Sequence, residues 1–191
     1  MTKTFFTSDP HYFHKNILVY CKRPFNTIED MNNAFVDNWN RIVSRGDQVY
    51  ILGDFSLAQS SSETESIIKR LNGAEKHLVM GNHDASMSGK CKNLFTSCSH
   101  YKEIEVDEPE NTYDGKQLIV LSHYAFRVWN HSHHGSWNLY GHSHGLLPGN
   151  SQQLDVGVDC WDYTPCSYEQ VKERLATLPE YQKVKAKEIV I

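Results

Sequence analysis

His77-Leu78-Val79-Met80-Gly81-Asn82-His83-Asp84 is the stretch on which the reading of this chain turns. It opens as a short apolar run stopped by glycine, the pattern of a buried strand. Beyond Gly81 stand an amide, an imidazole and a carboxylate. Open α/β sheets bind ligands past the carboxyl ends of their strands, so these three side chains fall where a ligand would sit. Gly, Asn and Asp also form turns, and in isolation a turn is the simpler reading. The remaining chain weighs against it, because similar punctuation recurs at four other places.

Upstream, Thr4 to Ser8 reads as a strand stopping at Asp9-Pro10-His11, where Pro10 favours an extended Asp9. Val49 to Leu52 reads as a second buried strand, ending in Gly53-Asp54. Downstream, the Gln117–Leu121 strand ends in Ser122-His123, and Trp137–Tyr140 runs into Gly141-His142-Ser143-His144-Gly145. Between the first strands lie helices. Tyr12 to Tyr20 reads as a short one. Thr27 caps another, with Ile28, Met31, Phe35, Trp39 and Ile42 along one face. A third begins at the Ser60 run, turns Ile67, Ile68 and Leu71 inward, and stops at Gly73. The β-α-β-α-β order predicts parallel strands with helical crossovers.

Further along, Ala85 to Ser99 reads as a loop or short helix. Tyr101 to Val106 alternates like an antiparallel strand, and the segment from Asp107 to Gly115 is acidic and turn-rich. Leu154 to Val158 is a strand followed by Asp159. Ser167 caps a last helix carrying Val171, Leu175 and Leu178, and Glu188 to Ile191 could close a sheet edge. With no repeat, linker or low-complexity segment, one domain over residues 1–191 is expected.

Nineteen basic and twenty-three acidic residues leave a net charge of −4. That balance argues against an extended nucleic-acid-binding face while permitting a locally positive site for a small anion. No run is apolar enough to span a bilayer, and Asp9 interrupts a signal-peptide core. A soluble, cytoplasmic protein that does not engage membranes is expected. The five cysteines are odd in number and form no CxxC pair, which disfavours a disulfide framework or thiolate zinc site. The eleven histidines instead cluster beside Asp, Asn and Gly, as a metal site of imidazoles and carboxylates requires.

Asp9-x-His11, Gly53-Asp54, Gly81-Asn82-His83-Asp84, His123 and Gly141-His142-x-His144, in that order, resemble the motif set of the calcineurin-like metallophosphoesterases. A small bacterial and phage branch is closer still. It shares the opening Thr7 to Ile17, Arg23-Pro24-Phe25, Ser122-His123-Tyr124 and His134 to Gly145. The resemblance implies an α/β fold, a four-layer α/β/β/α sandwich with two mixed central sheets flanked by helices. It also implies two divalent metal ions, manganese first, with iron, zinc or nickel also suited. Asp9, His11, Asp54 and His144 would hold one; Asp54, Asn82, His123 and His142 would hold the other. A bridging carboxylate suits ions roughly 3.5–4 Å apart.

By the same resemblance a metal-held hydroxide attacks phosphorus in line, and His83 gives a proton or hydrogen bond to the leaving oxygen. Asp84 would orient His83 and favour its charged form. Many members carry a second Asp in G-D-x-x-D, where this chain has Gly53-Asp54-Phe55-Ser56-Leu57. That substitution should spare the metals but alter the supporting hydrogen bonds.

On the substrate side, His14, Asn16, Arg23 and Arg127 could hold phosphate oxygens, and Tyr12, Phe13, Tyr124 and Trp129 could stack on a planar group. The expected partner is a small phosphorylated compound, a nucleotide among the candidates. A nuclease of the same family and a non-catalytic scaffold on the same fold are the alternatives.

Overall fold

The computed structural model describes residues 2–109 and 115–182. Its elements are β1 (Thr4–Thr7), α1 (Ile17–Tyr20), α2 (Ile28–Ile42), β2 (Gln48–Ile51), α3 (Ser61–Arg70) and β3 (Glu75–Val79). Then come α4 (Gly89–Lys92), β4 (Ser97–Ser99), β5 (Tyr101–Asp107), β6 (Lys116–Ser122), β7 (Trp137–Tyr140), β8 (Gln153–Asp155), β9 (Cys166–Ser167) and α5 (Tyr168–Ala176).

The strands form two mixed sheets. The first runs β4-β3-β2-β1-β9, with β1 to β4 parallel and β9 antiparallel to β1. The second runs β5-β6-β7-β8, antiparallel between β5 and β6 and parallel thereafter. Two mixed sheets flanked by helices is the architecture implied by the motif resemblance.

Strand alternation explains how the layers stack. Successive side chains on a strand point to opposite faces. Phe5, Val49, Ile51 and Leu78 therefore face α2 and α3, joining Met31, Phe35, Trp39, Ile67 and Ile68 in one core. Their neighbours Phe6, Tyr50, Leu52 and Val79 face the second sheet, meeting Ile119, Leu121 and Leu139, with Val171 and Leu175 of α5. The first sheet is thus buried on both faces, as parallel sheets usually are. Each such buried aliphatic or aromatic side chain contributes about 1.5–3 kcal/mol.

Helix starts follow local chemistry. Thr27 Oγ1 accepts from the Asp30 N–H at 3.0 Å to begin α2. Ser60 with Glu63, and Ser167 with Gln170, form capping boxes for α3 and α5. Among the described residues, no helix is long and apolar enough to cross a membrane.

Several expectations shift. The helix expected over Tyr12–Tyr20 is confined to Ile17–Tyr20, because Phe13 adopts φ +65°, which no α-helix accepts. The stretch from Ala85 to Ser99 does contain a short helix, but it also supplies β4, which pairs parallel with β3. The strand expected at Leu154–Val158 is only Gln153–Asp155, after which Val158–Cys160 forms a 3-10 turn. The edge strand expected at Glu188–Ile191 lies outside the described residues, and β9 occupies the edge beside β1.

Candidate metal centre

Five strand ends converge. β1 delivers Asp9 and His11, β2 Asp54, β3 Asn82 to Asp84, β6 His123, and β7 His142 and His144. Within each sheet these strands run parallel, so their carboxyl ends open on one side of that sheet. The two sets of ends meet where Asp9 and His11 approach His144 and where Asp54 approaches His123 and His142. To turn inward, five ligand-type residues adopt left-handed backbones: Asp9 (φ +56°), His11 (+51°), Asp54 (+52°), His142 (+65°) and His144 (+47°). Non-glycine residues held there cost about 1–3 kcal/mol each and cluster at functional sites.

The motif glycines serve close approach. A Cβ on Gly53 would stand 2.5 Å from His123 Nδ1, one on Gly81 would collide with Asp54 Oδ1, and one on Gly141 with Asp9 Oδ2.

Two groups of donors result. Asp9, His11 and His144 offer ligand atoms within 4.8 Å of one another, and so do Asp54, His123 and His142. Asp54 joins them: its Oδ2 lies 3.6 Å from His11 Nε2 and 3.5 Å from His123 Nε2. Asn82 Oδ1 is 3.1 Å from His123 Nε2 and accepts from the Tyr124 hydroxyl at 3.2 Å, which fixes the amide. All seven residues expected as metal ligands are therefore brought together.

The donors fit cations on independent grounds. Among the described residues, Asp9 Oδ1 and both ring nitrogens of His11 are buried without a hydrogen-bond partner, though Asp9 Oδ1 and His11 Nε2 are only 3.7 Å apart. Buried polar atoms are rarely left so. Burial pushes the Asp9 carboxyl up and the His11 imidazole down, each toward its neutral form. A cation between them would give both atoms a partner and favour the Asp9 carboxylate. Burial alone would also raise Asp54, but the neighbouring His123 imidazole and the hydrogen bond from the His83 N–H hold it low, as an anion.

The surrounding contacts set the tautomers. His123 Nδ1 donates to the Leu52 carbonyl at 2.7 Å, leaving Nε2 with a lone pair for a metal. His144 Nδ1 donates to Asp159 Oδ2 at 2.8 Å with the same result. Asp159, given no role on sequence grounds, is thus part of the site. The only signal for it was an acidic residue just past the Leu154–Val158 run.

Arg23 needs correction. Rather than reaching for phosphate, its side chain is buried. Nε and Nη2 donate to the two oxygens of Asp159, each at 2.8 Å. Nη2 also reaches the Asp9 carbonyl at 2.7 Å, and Nη1 the Pro10 carbonyl at 2.9 Å and the Met31 sulfur at 3.5 Å. The guanidinium has five N–H groups, and all are engaged. Cys21 also approaches His144 and Asp159, but Asp159 is already occupied and burial raises the thiol to about 11, so it stays protonated.

Asp84 needs correction too. It does not orient the His83 ring. Its carboxylate accepts the N–H groups of Asp54 (2.8 Å), Gly81 (2.9 Å) and Phe55 (2.9 Å), tying the end of β2 to the end of β3. With the Leu57 N–H donating to the Tyr12 carbonyl at 2.9 Å, this holds the Gly53-Asp54-Phe55-Ser56-Leu57 turn without a second aspartate.

His83 stands at the rim with its side chain 41% exposed and its Nε2 3.9 Å from Asp54 Oδ2. His14 lines the same cavity, its ring centroid 5.3 Å from that of His11. Asn16 and Arg127 are exposed and outside the cavity lining. Asn16 sits at the start of α1, and Arg127 follows β6 where the chain leaves the site. Tyr12 and Trp129 are buried, Phe13 packs on the first core, and Tyr124 alone of the four aromatics is exposed.

The sequence profile described as calcineurin-like phosphoesterase matches residues 2–161, and the chain belongs to that family. It is 28% identical over 172 residues to an uncharacterized protein of Methanocaldococcus jannaschii, covering 90% of each chain. It is 27% identical over 187 residues to the gene 66 protein of Mycobacterium phage L5, covering 84% of this chain and 88% of that one. Among solved structures, a protein of unknown function from Aquifex aeolicus matches with a TM-score of 0.68 at 23% identity, over 91% of this chain and 100% of that one. That likeness bears on the fold alone.

Proposed function

We propose that this chain is a two-metal hydrolase acting on a phosphomonoester or a small phosphodiester. The observation that carries the reading is Asp54, whose Oδ2 lies between His11 Nε2 at 3.6 Å and His123 Nε2 at 3.5 Å. One carboxylate thereby serves both donor groups. Two divalent cations held there would supply an acidified water and positive charge for phosphate oxygens. Manganese is our choice for activity in vitro; iron, zinc and nickel also suit imidazole and carboxylate donors without thiolate.

The side chains around the metals divide the remaining work. His83, exposed at the rim, would give a proton or hydrogen bond to the leaving oxygen. Asp84 acts one step back, by fixing the turn that carries Asp54 and His83. Asp159 and Arg23 keep His144 in the tautomer a metal needs. His14 offers a ring nitrogen, Nδ1, without a hydrogen-bond partner among the described residues. Burial lowers its pKa, so the neutral ring prevails.

The test is turnover of p-nitrophenyl phosphate and bis-p-nitrophenyl phosphate by dialysed protein with added manganese, with Asp54→Asn as the comparison. Asp54→Asn should lose bound metal and at least about 100-fold in turnover, since even outer contacts to metal ligands are worth 10–100-fold. Equal activity in both proteins would sink the reading. Inactivity of the wild type on both substrates, with and without manganese, would favour a scaffold.

A further inference from the structure

Seven large hydrophobic side chains are exposed among the described residues, and three of them stand at the candidate metal site: Tyr20, Tyr124 and Leu146. Tyr20 is 69% exposed and Leu146 89% exposed, yet both line the cavity over His11, Asp54 and His144. Tyr124, 49% exposed, packs edge-on against His142 with ring centroids 4.7 Å apart. Hydrophobic residues scattered singly over a surface need no explanation, whereas a group gathered at a cavity marks a binding site.

The two lips are held in place. Tyr20 ends α1, where the Arg23 N–H folds back onto the Leu18 carbonyl at 3.0 Å, and its ring lies 6.1 Å from His14. Leu146 follows a turn pinned by Asp155, whose Oδ2 accepts from Ser143 Oγ at 2.5 Å and from the Gly145 N–H at 3.0 Å. The Leu146 N–H closes that turn onto the Ser143 carbonyl at 2.9 Å. Lys22 stands on the rim beside Tyr20 and lines the same cavity. The cavity encloses about 660 Å³, within the range of about 300–1,000 Å³ that holds drug-sized ligands. An inorganic phosphate on the polar floor would leave the apolar wall uncovered.

We infer that the site takes phosphate esters of an alcohol bearing a planar ring, a nucleoside foremost. The ring would lie against Tyr20 and Leu146 while the phosphate sits over His11, Asp54 and His144. This rests on the hydrolase reading above and deepens it. Tyrosine provides a rigid flat surface on which any base can stack, so the lips select for a ring rather than for one base. Lys22 adds a cation near the anionic oxygens.

The test compares equilibrium binding to the full manganese-loaded chain of three probes. They are the non-hydrolysable methylenephosphonate analogues of adenosine 5′-monophosphate and of ribose 5-phosphate, and inorganic phosphate. The two analogues share the sugar and the phosphonate, and a hydroxyl on the ribose compound replaces the base. Wild type should bind the adenosine compound at least about 10-fold more tightly than the ribose compound, the scale of one base–aromatic stack. Tyr20→Ala and Leu146→Ser should each bring that ratio below about 3 while leaving inorganic phosphate binding within about 2-fold.

Equal binding of the two analogues to wild type, with phosphate still bound, would overturn the inference and leave the hydrolase reading standing. Failure of all three probes to bind metal-loaded protein would remove both. A dimer in sedimentation velocity that Leu146→Ser dissociates, with no base-dependent ratio, would assign the lips to a second copy of the chain and also overturn it.

Discussion

Asp54, buried, and Asp159, partly buried, are both carboxylates held anionic, and the means differ. Asp54 faces imidazoles that a metal can share. Asp159 faces Arg23 and His144, which neutralise it directly. Burial would raise Asp159, but hydrogen bonds from His144 and Arg23 bring it down to about 2, from an ordinary value of 3.8. A carboxyl with a lowered folded pKa contributes stability that is complete above about pH 4 and lost as pH falls through about 2. In urea unfolding of metal-free protein, Asp159→Asn should be less stable at neutral pH and lose less than wild type across that acid window. The same variant should bind metal about 10–100-fold more weakly at the Asp9–His11–His144 group, read by metal titration, because His144 Nδ1 loses its carboxylate. Unchanged metal affinity would assign Asp159 to stability alone. His83→Ala makes the opposite prediction. It should retain metal by elemental analysis and lose most turnover on esters with poor leaving groups, while esters with good leaving groups suffer less. A fully active His83→Ala protein would remove His83 from the reaction.

At the scale of elements, the ends of β2 and β3 behave as one unit. Asp84 closes a turn at its own strand and reaches across to the backbone of Asp54 and Phe55. Removing it leaves three buried N–H groups without an acceptor, and an unsatisfied buried donor costs about 1–3 kcal/mol. Asp84→Ala should therefore destabilise the protein by about 3 kcal/mol or more in denaturant unfolding, and weaken metal binding as the Asp54 turn loosens. Asp84→Asn should recover part of both, since its one amide oxygen replaces two. An Asp84→Ala protein of wild-type stability would refute the clamp. Sequence reasoning read the neighbourhood as a ligand-bearing strand end, which it is. The direction of the Asp84 carboxylate could not be read, because Asp–His adjacency does not reveal which backbone groups lie across the sheet.

For the whole molecule, the site joins the two sheets. Asp9, His11, Asp54 and Asn82 come from the first sheet, and His123, His142 and His144 from the second. Cations held by both groups would cross-link the stack. Manganese at 100 times its dissociation constant should add about 2.7 kcal/mol for one site. At about 2–4 °C per kcal/mol for a chain of this size, Tm should rise by about 5–10 °C, and a chelator should reverse it. A Tm indifferent to both would show that the donors do not bind metal in the folded state.

The sequence by itself determined the kinds of residue at each strand end, their order, and the alternation that buries the first sheet on both faces. Those follow from local periodicity and from glycine placed where only a missing side chain lets strand ends touch. Tertiary structure alone decided the rest. Arg23 and Asp159 are 136 positions apart, and only packing shows that they consume one another's charge and leave Arg23 nothing for phosphate. The left-handed turns at Asp9, His11, Asp54, His142 and His144 oppose local preference and persist because surrounding contacts hold them. β4 and β9 are too short to declare themselves and exist through the strands they join. The apolar lips, Tyr20 and Leu146, look like ordinary surface residues until folding sets them over the same cavity.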